Sequence, residues 1–187
     1  LNGTGVAFMD YIAGYIQGGG DAFMALYTTH EPFNWEHSPD CTVEVQQKLY
    51  RMLKREAVNR GLTADQLPLF ADVGTTSYAQ FTNDVCDYCS TWYYPNGECS
   101  GATWEARVDS CLNKMREHYQ ALPNRDADAK YVAKWQSFGG IPNYEMPTEA
   151  QMEYATKLAI NDLKANYPKD FTFMWYVWEG VYPLVLK

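Results

Sequence analysis

Apolar positions along this chain recur mostly at three- and four-residue intervals, the period of helices that bury one face. GVAFMDYIAGYIQ, residues 5–17, predicts a helix that stops at Gly18-Gly19-Gly20. DAFMALYTT predicts a short second helix with Asp21 at its cap, and HEPFNWEHSPD, residues 30–40, a loop held by aromatics. A longer helix is expected from about Thr42 to Arg60, capped by Ser38 or Asp40 and stopped by Gly61. Its buried stripe reads Val45, Leu49, Met52, Leu53 and Ala57. Thr63-Ala64-Asp65-Gln66 matches a capping box, in which a hydroxyl and a side-chain amide satisfy backbone groups left open at a helix start. Pro68 keeps that helix short or bends it.

Ser77 opens a further predicted helix with Tyr78, Phe81, Val85 and Cys89 on one side, and Pro95-Asn96-Gly97 turns the chain. Trp104, Val108, Cys111, Leu112, Met115, Tyr119 and Leu122 then form the cleanest amphipathic stripe in the sequence. Residues 126–137 read as another helix, buried through Tyr131, Val132, Trp135 and Phe138 and stopped by Gly139-Gly140. Thr148-Glu149-Ala150-Gln151 is a second capping box, opening a helix to about Asn166 with Met152, Ala155, Ala159 and Leu163 inside. After Pro168 two periods compete. Phe171, Phe173 and Trp175 alternate as in a strand, whereas Met174, Val177, Trp178 and Val181 fit a helix. A strand needs a partner, so the segment reads as helix or as a strand added to another protein's sheet edge, with helix preferred.

The expected fold is therefore all-α: an irregular single-domain bundle of six to eight helices with disulfide support, spanning residues 1–187. Residues 1–40 form an acidic N-terminal arm with two short helices, and residues 167–187 an apolar, aromatic C-terminal segment.

Charge sharpens this picture. The net charge is −8, which argues against sequence-independent nucleic-acid binding. Residues 1–47 hold no Lys or Arg but carry Asp10, Asp21, Glu31, Glu36, Asp40 and Glu44, while the following helix is basic through Lys48, Arg51, Lys54, Arg55 and Arg60. The two are read as an intramolecular match or as an acidic docking surface for a basic partner. The chain starts at Leu1, read as a processed form or one whose start is missing. Asn2-Gly3-Thr4 is a weak glycosylation pattern. No transmembrane helix of the chain's own is expected: the nearest run, FTFMWYVWEGVYPLVL, is broken by Glu179, Gly180 and Pro183.

The cysteines are Cys41, Cys86, Cys89, Cys99 and Cys111. Redox catalysis is disfavoured because Asp84 and Asp87 flank Cys86 and raise a thiol pKa. A zinc knuckle lacks its second close pair, so no metal site is predicted. Disulfides among Cys86, Cys89, Cys99 and Cys111 remain the preferred reading, with free buried thiols the alternative. The most economical pattern joins Cys86 or Cys89 to Cys111 and the other to Cys99, leaving Cys41 over. Bridges of this kind imply an oxidising compartment: extracellular, an organelle lumen or an intermembrane space.

No nucleophile-elbow, phosphate-loop, dinucleotide or zinc-protease motif occurs, and no catalytic residue or cofactor is predicted. His30, Glu31, Glu36 and His37 are the only local cluster of titratable ligands, at a spacing that matches no motif. Aromatic load stands out instead: 15 Tyr and 6 Trp, several in predicted loops. Phe33, Trp35, Trp92, Tyr93, Tyr94, Phe173, Trp175 and Trp178 are the expected partner-binding residues, since Tyr and Trp favour interfaces. The sequence thus predicts a non-catalytic accessory subunit that docks onto protein subunits of a larger complex, such as an organellar respiratory or photosynthetic assembly. The alternatives are a secreted protein or effector recognising a carbohydrate, lipid or protein, and a hydrolase using His30, Glu36 or His37.

Overall fold

The computed structural model describes residues 2–20, 25–30, 40–72, 82–125, 127–137, 139, 144–167 and 171–176. It overturns the all-α expectation. Four helices and five strands are present among the described residues, with parallel strand pairing. This is an α/β fold. The chain divides into two compact units, Leu1–Cys89 and Ser90–Lys187.

In the first unit, α1 spans Gly3–Gln17 and is capped by the Asn2 side chain, which accepts from the Gly5 amide at 3.0 Å. Strand β1, Leu26–His30, occupies part of the segment predicted as the second short helix of the arm. It pairs in parallel with β2, Leu69–Asp72, and α2, Val43–Asn59, connects the two as a βαβ unit. The cap of α2 is Thr42 rather than Ser38 or Asp40. Leu53 and Ala57 of α2 join Met9, Ala13, Leu62, Leu67 and Leu69 in a core against which Leu49 and Met52 pack, but Val45 is exposed. Arg60, just past α2, pairs with Asp10 of α1 at 2.7 Å, so one acidic residue of the arm is matched by a base of its own unit. The Thr63–Gln66 box caps only a 3-10 turn, Ala64–Gln66.

In the second unit, α3 spans Trp104–Arg125, β4 Lys130–Gln136, α4 Glu149–Asn166 and β5 Phe171–Tyr176. All seven residues of the predicted α3 stripe are buried. Thr148 and Gln151 form their capping box, with Thr148 N donating to Gln151 Oε1 at 2.8 Å. Strands β4 and β5 pair in parallel, Tyr131 opposite Phe171 through Gln136 opposite Tyr176, with α4 as their crossover. Thus the C-terminal aromatic run, for which a helix was preferred, supplies a strand whose partner lies within its own chain. Strand β3, Tyr88–Trp92, replaces the end of the helix predicted from Ser77.

The misreading of β4, predicted as part of a helix over residues 126–137, has a physical cause. A strand covered on both faces is apolar throughout, and its two-residue period disappears. AKYVAKWQ, residues 129–136, shows this: Tyr131, Val132, Ala133 and Trp135 are all buried, and so is Lys134.

Candidate functional site

The second unit gathers its unusual side chains at the ends of β3 and β4. On one face Thr91 shares a hydrogen bond with the Tyr131 hydroxyl, and Tyr131 packs edge-on against Tyr119 of α3 and Tyr167 at the end of α4. That face is covered by helices. Successive strand residues alternate sides, so Trp92 of β3 and Lys134 and Gln136 of β4 belong to the other face. There Lys134 Nζ lies 4.7 Å from the centre of the Trp92 ring, a cation over an aromatic face. Both are buried, Lys134 at 1% exposure.

The loops that follow the two strands are tied together above this pair. Gln136 Oε1 accepts from the Asn96 amide at 3.2 Å, and Gln136 Nε2 donates to the Glu145 carbonyl at 2.9 Å. Asn96 Nδ2 donates to that same carbonyl at 2.9 Å. Glu98 then receives the Tyr94 amide at 3.2 Å and the Tyr144 hydroxyl at 3.3 Å. Trp92, Tyr94 and Tyr144 form a small aromatic cluster, with Tyr144 edge-on to Tyr94. Burial pushes the Glu98 carboxyl above the usual carboxylate range, and the hydrogen bonds from Tyr94 and Tyr144 and the charges of Lys114 and Lys134 oppose that shift only in part. Tyr144 is raised as well, first by burial and then by the charge of Glu98.

Beneath the same loop, Lys114 of α3 donates to the Glu98 carbonyl at 3.1 Å and lies 5.2 Å from the Tyr93 ring centre. Tyr93 bonds His118 Nε2 at 3.3 Å. His118 is buried, and burial lowers its pKa to about 4, so near neutral pH the ring carries no charge.

Of the residues expected to bind a partner, Trp92 and Tyr94 are packed side chains rather than loop-borne anchors, and Tyr93 is half-buried. Phe173 and Trp175 lie in β5, with side chains outside the described residues, as are Phe33, Trp35 and Trp178 altogether. Glu31, Glu36 and His37 also fall outside them, and His30 is the last residue of β1. No group of three or more His, Cys, Asp or Glu suited to a metal is present among the described residues. No helix among them is long and apolar enough to cross a membrane.

The cysteines pair as Cys86–Cys89 and Cys99–Cys111, with Cys41 outside the bridges. Neither expected cross-pairing forms, because Cys86 and Cys89 lie close enough at the start of β3 to close on each other. Two bridges suit an oxidising compartment.

Sequence reasoning missed Lys134, Gln136 and Glu98, and took Asn96 for a turn residue alone. A lysine inside an otherwise apolar run was the available signal, since Lys is almost never fully buried without a purpose.

No protein-family model matches the chain, and no curated protein matches it. Among solved structures, the crystal structure of Ruminococcus gnavus beta-glucuronidase matches with a TM-score of 0.52 at 11% identity. The likeness is one of fold. It covers 94% of this chain and 30% of that one, so the chain spans less than a third of the enzyme's length.

Proposed function

We propose that this is a binding protein of an oxidising compartment, extracellular or lumenal, that takes a polyhydroxylated, carbohydrate-like ligand at the ends of β3 and β4. The observation that carries the reading is Lys134 over Trp92 on the sheet face away from the helices. Ligand sites in α/β folds gather at the strand ends, where loops converge. Aromatic faces receive the C–H surface of a sugar ring, and a few fixed polar groups orient its hydroxyls. In this reading the half-buried Glu98 and Tyr144 form the rim, above the buried Trp92 and Lys134. The fold neighbour's name, beta-glucuronidase, belongs to carbohydrate chemistry and agrees with this choice. The test is a glycan array probed with the oxidised full chain. At least one glycan should be retained, with a tenfold or greater loss of affinity in Lys134→Met and in Tyr144→Ala. Retention of no glycan, or equal affinity in both variants, overturns the reading.

A second reading is an accessory subunit that docks onto a larger protein assembly. It draws support from α1, where Phe8, Tyr11 and Tyr15 are exposed at helical spacing, Tyr11 by 70%. Large exposed aromatics in one stripe suit a protein interface. Co-purification of stoichiometric partner subunits from the native source, lost in Tyr11→Ala, would favour it.

A further inference from the structure

Glu98 and Cys99 are adjacent, and Cys99 is bridged to Cys111 in α3. The bridge therefore anchors the loop that carries Tyr94, Asn96 and Glu98 to a helix whose inner face is buried. Non-covalent ties on this loop include Lys114 to the Glu98 carbonyl, the Glu98 amide to the Tyr94 carbonyl at 3.1 Å, the Asn96 contacts with Gln136 and Glu145, and Tyr94 packed against Trp92 and Tyr144. Cys86–Cys89 differs. It closes over a separation of three residues, from just before β3 to its second residue, and holds no residue of the rim.

We infer that Cys99–Cys111 is a redox latch on the ligand site, holding Glu98 and Tyr94 beside Tyr144 when oxidised and releasing them when a dithiol reduces it. The inference rests on the binding reading above for its consequence, but not for the release itself. Cys99 retains 9% of its surface and Cys111 none, so attack enters at Cys99. A thiolate of the dithiol bonds to Cys99 Sγ, the protein S–S bond breaks, and Cys111 leaves as a thiolate that takes up a proton. The second thiol of the reductant then displaces Cys99 from the mixed disulfide, and Cys99 is protonated in turn. The reductant ends as a cyclic disulfide, and the protein has gained two electrons and two protons. Released from α3, the loop samples arrangements in which Glu98 no longer meets Tyr144, and the rim is lost.

The test is hydrogen exchange by mass spectrometry on the full chain, oxidised and after graded dithiothreitol, with the Cys99→Ser/Cys111→Ser and Cys86→Ser/Cys89→Ser double variants alongside. Amides of residues 93–103 should exchange at least tenfold faster on reduction and in the first variant, with no change there in the second and none in α4. Circular dichroism separates this from global unfolding, and if the first variant fails to fold, the graded reduction of the unaltered chain decides. Unchanged exchange in residues 93–103 after both bridges are open overturns the latch. In parallel, affinity for any glycan retained by the oxidised chain should fall at least tenfold on reduction. If the oxidised chain retains none, the binding reading fails while exchange still decides the latch.

Discussion

Lys54 Nζ lies 2.6 Å from Asp87 Oδ2, a charge pair between α2 and the residue just before β3. The same carboxylate accepts from the Leu69 amide and the Tyr50 hydroxyl, each at 2.7 Å. Lys54 also donates to the carbonyls of Ala64 and Leu67. One carboxylate thereby fixes a helix, the start of β2 and the approach to β3. Removing it takes the acceptor from the Leu69 amide and the Tyr50 hydroxyl and the counter-charge from Lys54, and such losses cost more than the net worth of the bonds. Asp87→Ala is expected to lower stability by about 3 kcal/mol, measured by urea denaturation, and a loss under about 1 kcal/mol would show that water replaces the carboxylate freely.

His118 makes stability depend on pH. Its folded pKa is lowered to about 4 by burial, against an ordinary value of 6.5. Between those values the unfolded chain takes up a proton that the folded one refuses. Stability from this group is therefore intact above pH 6.5, falls as pH drops towards 4, and levels off below that. The loss amounts to about 3 kcal/mol when complete. His118→Gln should flatten this limb in denaturation curves recorded at pH 7, 5.5 and 4, and an unchanged slope would place the titration elsewhere.

How much of this was written legibly in the sequence depends on what each residue faces. The α3 stripe was readable because one side of the helix meets water, and Thr148 with Gln151 marked the start of α4 by chemistry alone. Strand β4 was not, because burial on both faces removes alternation, and the short β1, with Tyr27 exposed and Thr28 half-buried, left only β-propensity as a signal. The Lys134–Trp92 pair was hidden for a different reason. Its members stand on separate strands, and only the pairing of those strands brings them together. Cys99 and Cys111 were recognisable as bridge candidates, whereas their pairing depended on where the loop after β3 turns.

Glu98 gives a pH dependence of the opposite sign. Burial raises its folded pKa, so as pH rises above 4.5 the unfolded carboxyl ionises before the folded one. Its contribution to stability is full at low pH and declines as pH climbs through the folded value, then stays level. Glu98→Gln cannot ionise and should abolish that decline, gaining on the unaltered chain between pH 4 and 7. A variant that instead loses stability uniformly at every pH would mean that the bonds from Tyr94 and Tyr144 outweigh the cost of burying the charge.

Tyr131→Phe tests the helix-covered face alone. The hydroxyl it removes is the partner of Thr91, and both residues are fully buried. A buried hydroxyl left without a partner costs about 1–2 kcal/mol. The variant should lose that much in thermal or urea unfolding and keep the ligand affinity of the unaltered chain, because Lys134 and Trp92 lie on the other face. Loss of affinity with little loss of stability would put Tyr131 in the site.

Gly97 connects backbone conformation to the rim. Its φ is +119°, a region that side-chain-bearing residues rarely adopt, and a Cβ built there falls 2.6 Å from the Tyr144 ring. That ring is held by its bond to Glu98 and its edge contact with Tyr94, so it yields only by giving up both. Gly97→Ala is expected to cost about 1–3 kcal/mol and to weaken ligand retention, because the displaced ring no longer meets Glu98. The strain and the collision separate in a double-mutant cycle. In a Tyr144→Ala background the collision is gone and only the backbone penalty remains, so the added cost of Gly97→Ala should shrink. An equal cost in both backgrounds would show that φ alone demands glycine at this turn and that the ring imposes nothing.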